Sequence, residues 1–132
     1  AIFCAAVGDF KIKYLSENKI KKKNDLKLDF KKNIDILKLI SKNNNKPKLV
    51  IGFSAETNNL HYNSEQKLLN KGCDWIIAND VSKSDIGFDS DFNEVSIFYK
   101  DEKVENETIS KTYKSVIADE IVKRVINQLN LI

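Results

Sequence analysis

The sequence predicts an α/β fold: a Rossmann-like open, mostly parallel sheet with flanking helices and a C-terminal β-hairpin plus helix. Three observations carry this. The runs "AIFCAAV", "LVIGF" and "DWIIAN" are apolar without alternation and read as strands buried on both faces. Segments with helical spacing of apolar residues stand between and after them. The connections are short, which favours parallel strands joined by crossovers.

Taken in order, the first strand covers 2–7 and ends in Gly8 and Asp9. A polar, lysine-rich stretch to Asp25 shows neither strand nor helix period. "LKLDF", 26–30, alternates and reads as a short strand. Asn33 suits an N-cap for a helix presenting Ile36, Leu37 and Ile40 on one face. After the loop "NNNKPK", the second buried strand covers 49–53. A helix is expected from about Asn59 to Lys71, with Gly72 as a left-handed cap. The third buried strand, 74–79, leads into a long loop, "DVSKSDIGFDSDFN". Strands at 94–100 and 103–108 form the hairpin. The last helix, from about Thr112 to Asn130, places Ile117, Ile121, Val125 and Leu129 four apart, with Val122 and Ile126 beside them. Asp119–Lys123 and Glu120–Arg124 are spaced as helical ion pairs.

Composition narrows the function classes. Of 132 residues, 42% are hydrophobic and 31% charged, which is globular and not disordered. The net charge of +3 is mild for a nucleic-acid binder, and the basic run "KIKKK" holds no aromatic residue for stacking on bases. Cys4 and Cys73 lie far apart and read as reduced, buried thiols. A single histidine, His61, cannot form a histidine-based zinc centre. No apolar run reaches the ~20 residues of a membrane-spanning helix. An apolar strand at residue 1, without a methionine, reads as the continuation of a longer chain.

In an open α/β sheet, ligands sit at the carboxyl ends of the strands. Here those ends read "AAVGD", "GFSAETNN" and "IIANDVS", each rich in small and polar residues. Small residues let backbone groups approach a ligand closely. No glycine-rich phosphate loop of the GxxxxGK or GxGxxG type occurs, so lysines must hold any phosphates. Lys67 and Lys71 stand one helical turn apart. Like charges at that spacing cost a helix roughly 0.2–0.5 kcal/mol, and an anion between them reverses the sign. On spacing alone, a solvated face and a two-pronged phosphate clamp both remain open.

The ordered set "AAVGD", "KIKK", "GFSAETNN", "KLLNKGCDWIIANDVS", "GFDSDFN" and "ADEIVKRV" resembles phosphopantothenate–cysteine ligase, over essentially the whole chain. In bacteria that enzyme is usually fused behind a flavin-dependent decarboxylase, so FMN is expected only on such a domain, outside this chain. The resemblance implies a reaction in coenzyme A biosynthesis. The carboxylate of 4'-phosphopantothenate attacks the α-phosphate of CTP, and pyrophosphate leaves an acyl-cytidylate. The amine of L-cysteine then takes the acyl group and releases CMP, with Mg2+ on the phosphates. It further implies a cytoplasmic homodimer acting on small molecules, with neither nucleic acid nor membrane as partner.

Residue by residue, the resemblance makes Lys19 the catalytic flap lysine. Asp9, Ile20, Phe53, Lys67 and Lys71 become nucleotide-binding, with Ile20 beside the cytosine. Ala5 and Ala6 lie where backbone meets substrate. Lys21, Lys22 and Lys23 would solvate the flap or steer anions to it. Asn79 and Asp80 belong to a family motif without an assigned role. Residues 1–132 are thus expected to be the C-terminal portion of a single ligase domain. Its upstream glycine-rich segment and Asn-Ser-Ser-Gly motif are not in this sequence. Ile34 stands where the family usually has Pro, and Gly8 and Ser54 where it has Ala. The alternative is a non-catalytic nucleotide-binding or partner module.

Overall fold

The computed structural model describes residues 1–20, 27–83, 85–86 and 90–130. Lys21, Lys22 and Lys23 of the basic run, Leu26 of the expected "LKLDF" strand and residues 87–89 of the long loop lie outside the described residues.

The elements in chain order are β1 (Ile2–Phe3), β2 (Phe10–Ile12), β3 (Phe30–Lys32), α1 (Ile36–Ser41), β4 (Ile51–Glu56), α2 (Leu60–Lys71), β5 (Trp75–Asp80), β6 (Phe92–Tyr99), β7 (Glu107–Tyr113) and α3 (Lys114–Leu129). Five strands form one sheet in the order β1-β4-β5-β6-β7. β1, β4 and β5 are mutually parallel, and β6 is antiparallel to both its neighbours. Four of the five strands therefore point the same way, as the sequence predicts. β2 and β3 pair antiparallel as a separate ribbon.

Layering follows from handedness. The steps β1 to β4 and β4 to β5 move across the sheet in one direction, and right-handed crossovers put both connecting helices on one face. On that face Leu37 and Ile40 of α1 and Leu60 and Leu68 of α2 pack with Val50, Ile76, Ala78 and Phe98. α3 covers the other face, where Ile117 and Ile121 meet Ile51, Trp75, Ile77, Val95 and Ile97. β5 serves both layers by strand alternation, Trp75 and Ile77 facing α3, Ile76 and Ala78 facing α2. Gly52 has a packing reason: a Cβ there would collide with a Leu37 methyl, so α1 rests directly on the β4 backbone.

Several sequence expectations are corrected. β1 is two residues long, not 2–7, and lies at the edge of the sheet, with Ile2 exposed and Phe3 half-buried. Cys4, just after it, is exposed, whereas Cys73 is buried as expected. β2 falls in the stretch read as structureless: two short strands support each other across the ribbon where neither shows a period alone. β3 begins at Phe30, where "LKLDF" was expected to end. The N-cap of α1 is Asp35, not Asn33; its carboxylate accepts from the Lys38 N–H at 3.0 Å. Asn33 instead ties the ribbon down, its side chain donating to the Gly8 carbonyl and its N–H to that of Asp9. Ile36 is exposed. The α2 boundary and its left-handed Gly72 cap (φ 73°) match expectation. β7 starts later than 103 because residues 100–106 make the turn. On α3, Val122 faces solvent and Lys123 pairs with Glu120, not Asp119.

Candidate functional site

β1, β4 and β5 are parallel neighbours, so their carboxyl ends fall at one edge of the sheet. Ala5 and Ala6 follow β1 there, both exposed. β4 ends in Ser54-Ala55-Glu56 and β5 in Asn79-Asp80. The ladder holds Ala55 against Asn79 and Glu56 against Asp80, and the Val81 N–H donates to the Glu56 carbonyl at 2.9 Å. Asp80 closes a small turn by accepting from the Ser82 hydroxyl and N–H. These bonds hold its carboxyl below the ordinary value.

Lys67 reaches this edge. Its ammonium lies 2.6 Å from Glu56 Oε1 and 3.3 Å from Ser54 Oγ, at the tip of β4. Ser54 also donates to the same carboxylate. Burial alone would raise the Glu56 carboxyl; the Lys67 and Ser54 hydrogen bonds outweigh it and hold the group below 4.5. Lys71, one turn on, is paired with Asp35, the cap of α1. Burial again raises and the Lys71 pair lowers the Asp35 carboxyl, with a net lowering. Each of the two lysines therefore already has a carboxylate partner, and neither is a bare prong.

Asp9 joins the same neighbourhood through the backbone. Its carbonyl accepts from Asn33 at 2.7 Å, two residues before Asp35. Phe53 pairs with Ile77 in the ladder, and strand alternation turns it to the α3 face, opposite Ser54 and Glu56. It is 38% exposed, at a level of β4 that β1 does not reach, since β1 pairs only with Ile51 and Gly52. Lys19 and Ile20 lie beyond the ribbon, both exposed, and Lys19 has no hydrogen bond or ion pair among the described residues. The structure thus brings Lys67 to the tip of β4, ties Lys71 to Asp35 at the cap of α1 and Asp9 to Asn33 near that cap, and leaves Lys19 and Ile20 exposed.

Sequence reasoning missed Ser54, Glu56 and Asp35 as partners of the lysines. The signal for Glu56 was alternation: positions 50, 52, 54 and 56 share one face of β4, so a charge at 56 points under α2. His61, the only histidine, is edge-on to the Phe98 ring at 5.2 Å. Among the described residues, no group of three or more His, Cys, Asp or Glu side chains is placed to hold a metal ion. A cavity of about 310 Å³ lies at the opposite end of the sheet, lined by Lys48, Asp74, Trp75, Tyr99 and Lys100. None of the candidate site residues touches it.

Comparison with known proteins bears on the family and the fold. The family model for the DNA/pantothenate metabolism flavoprotein C-terminal domain matches residues 1–129. The chain is 40% identical over 98 residues to the coenzyme A biosynthesis bifunctional protein CoaBC of Bacillus subtilis, covering 74% of this chain and 24% of that protein. It is 37% identical over 128 residues to the CoaBC of Escherichia coli K12, covering 93% and 32%. The chain thus spans a third or less of these relatives. Its fold superimposes on the crystal structure of the C-terminal domain of a CoaBC with a TM-score of 0.70 at 28% identity, covering 96% of this chain and 52% of that one. The DNA/pantothenate metabolism flavoprotein from Streptococcus pneumoniae shares the fold with the same score at 21% identity, covering 96% and 62%. This chain belongs to the DNA/pantothenate metabolism flavoprotein C-terminal domain family.

Proposed function

We propose that this chain is the nucleotide-binding portion of a phosphopantothenate–cysteine ligase in coenzyme A biosynthesis. The observation that carries the reading is the seating of Lys67 at the tip of β4, on the sheet edge where three polar strand ends converge. A triphosphate there meets cationic amines and open backbone, in the place where α/β sheets bind ligands.

In this reading, Lys67 and Lys71 hold the β- and γ-phosphates of CTP. Asp9, Phe53 and Ile20 surround the nucleoside, and the backbone at Ala5 and Ala6 meets 4'-phosphopantothenate. The pantothenate carboxylate attacks the α-phosphate; the bond to pyrophosphate breaks, and acyl-cytidylate forms. Cysteine's amine then attacks the acyl carbon and expels CMP. Lys19 has no partner within the described residues and is free to meet the charge that builds on the reacting phosphoryl and acyl groups. A flap that closes also excludes water from an intermediate prone to hydrolysis.

Magnesium would be carried on the triphosphate, where it would offset charge on the departing pyrophosphate. FMN belongs to a decarboxylase domain beyond these residues. The ribbon exposes Phe10 and Phe30, which supports the homodimer as a means of covering them. Among the described residues no helix is long and apolar enough to cross a membrane, and a cytoplasmic enzyme is part of the proposal.

Calorimetric titration of the full-length protein tests the reading. CTP is expected to bind more tightly than ATP. Lys19→Ala is expected to lower kcat far more than it weakens CTP binding, because its contacts peak in the transition state. Equal affinity for the two nucleotides removes the cytosine preference, and a change in affinity alone reduces Lys19 to a binding residue.

A further inference from the structure

We infer that Glu56 is a positioning residue for Lys67: it anchors the ammonium at the tip of β4 so that one N–H is left aimed at an incoming phosphate. The inference rests on the nucleotide-binding reading above and adds to it the residue that makes Lys67 a fixed cation and not a roaming one.

Three observations lead here. First, the origin of the Glu56 side chain is fixed. The residue ends β4, opposite Asp80, and its carbonyl accepts from Val81. Second, the carboxylate is buried, with the residue 7% exposed, on the same face as Val50 and Ser54. A position of that kind takes an apolar residue by default. Burying an ion pair is a poor route to stability, because desolvation offsets the attraction. A carboxylate kept there, with Ser54 and Lys67 both donating to it, indicates a purpose other than stability.

Third, the donor count leaves one free. An ammonium has three N–H groups and no acceptor. Lys67 gives one to Glu56 at 2.6 Å and lies 3.3 Å from Ser54. Its side chain remains 42% exposed, which leaves the ammonium accessible for a third bond. A lysine stem is otherwise flexible, and fixing it before the ligand arrives lowers the ordering cost of binding. The carboxylate keeps its bond while the ammonium receives the phosphate. Glu56 touches neither substrate nor reacting atoms and acts through Lys67.

The test is a double-mutant cycle on the full-length protein, with Glu56→Gln, Lys67→Ala and the pair, read as Kd for CTP by calorimetry. Glu56→Gln keeps the shape and removes the charge that holds the ammonium. It is expected to weaken CTP about tenfold, the equivalent of ~1.4 kcal/mol. Combined with Lys67→Ala, it is expected to add little to the loss from Lys67→Ala alone. Glu56→Asp, which keeps the charge but shortens the reach, serves if the glutamine variant is unfolded at assay temperature. It is expected to fall between wild type and Lys67→Ala.

A purely structural role lowers Tm and leaves Kd unchanged, which overturns the inference. So does tighter binding by Glu56→Gln, which would make Glu56 a rival anion. Independent, additive losses in the double variant also overturn it. If wild type binds CTP and Lys67→Ala weakens it while Glu56→Gln does not, only this inference falls. If wild type does not bind CTP, or Lys67→Ala leaves its affinity unchanged, the functional reading falls with it.

Discussion

Removing Lys67 should shrink the acid-dependent stability that Glu56 contributes. In wild type the Glu56 carboxyl sits below its ordinary 4.5 because Lys67 and Ser54 outweigh the effect of burial. A group depressed in the folded state adds stability above the unfolded value, and that stability fades as pH falls through the folded one. In Lys67→Ala the burial remains and its principal opponent is gone. The carboxyl then rises from its wild-type position, with only the Ser54 and Asn63 hydrogen bonds still opposing burial, and the stability that its charge lends at neutral pH shrinks. Breaking one side of a fully buried pair costs about 3–5 kcal/mol. Here the Lys67 side chain is 42% exposed while that of Glu56 is 9% exposed, so solvent screens the pair and the cost is nearer 1–2 kcal/mol at pH 7. That corresponds to a fall in Tm on the order of 5 °C for a domain of this size. The assay is urea unfolding at intervals from pH 7 to pH 4, followed by circular dichroism. As the pH falls from 7 to 4 the variant should gain stability relative to wild type, and the gap should narrow. Two curves that stay parallel across that range would refute the claim that Lys67 governs the Glu56 charge.

Two further outcomes follow from packing and backbone. Ile77→Ala deletes a side chain with no exposure at the centre of β5 and should cost about 2–5 kcal/mol by denaturant titration. Gly72→Ala forces a methyl group onto a left-handed residue with φ of 73°, and should lower stability by about 1 kcal/mol; an unchanged denaturation midpoint would show that α2 does not need that cap.

The central elements were legible because burial writes itself into periodicity. Trp75–Asp80 and α3 are flanked on both sides or packed along a full stripe, and their apolar patterns say so. What was illegible depended on partners distant in sequence. Phe10–Ile12 becomes a strand only because Phe30–Lys32 lies against it. Asn33 and Asp35 are both good caps by type, and tertiary demands separated them: Asn33 was taken by the ribbon, Asp35 by Lys71. The same holds at the candidate site. The lysines at 67 and 71 could be singled out by their spacing. Their carboxylate partners could not, since Glu56 and Asp35 lie 11 and 36 residues away.

The strand shared by both apolar layers has a thermodynamic consequence. Ile76 and Ala78 belong to one layer, Trp75 and Ile77 to the other, on a single backbone hydrogen-bonded on both sides. Stripping away either helical layer strips water protection from the same residues, so the halves have no separate melting to undergo. The five-stranded sheet and its two helical layers are expected to come apart together, and the amide protons of Ile76 and Ile77 to exchange with solvent only when they do.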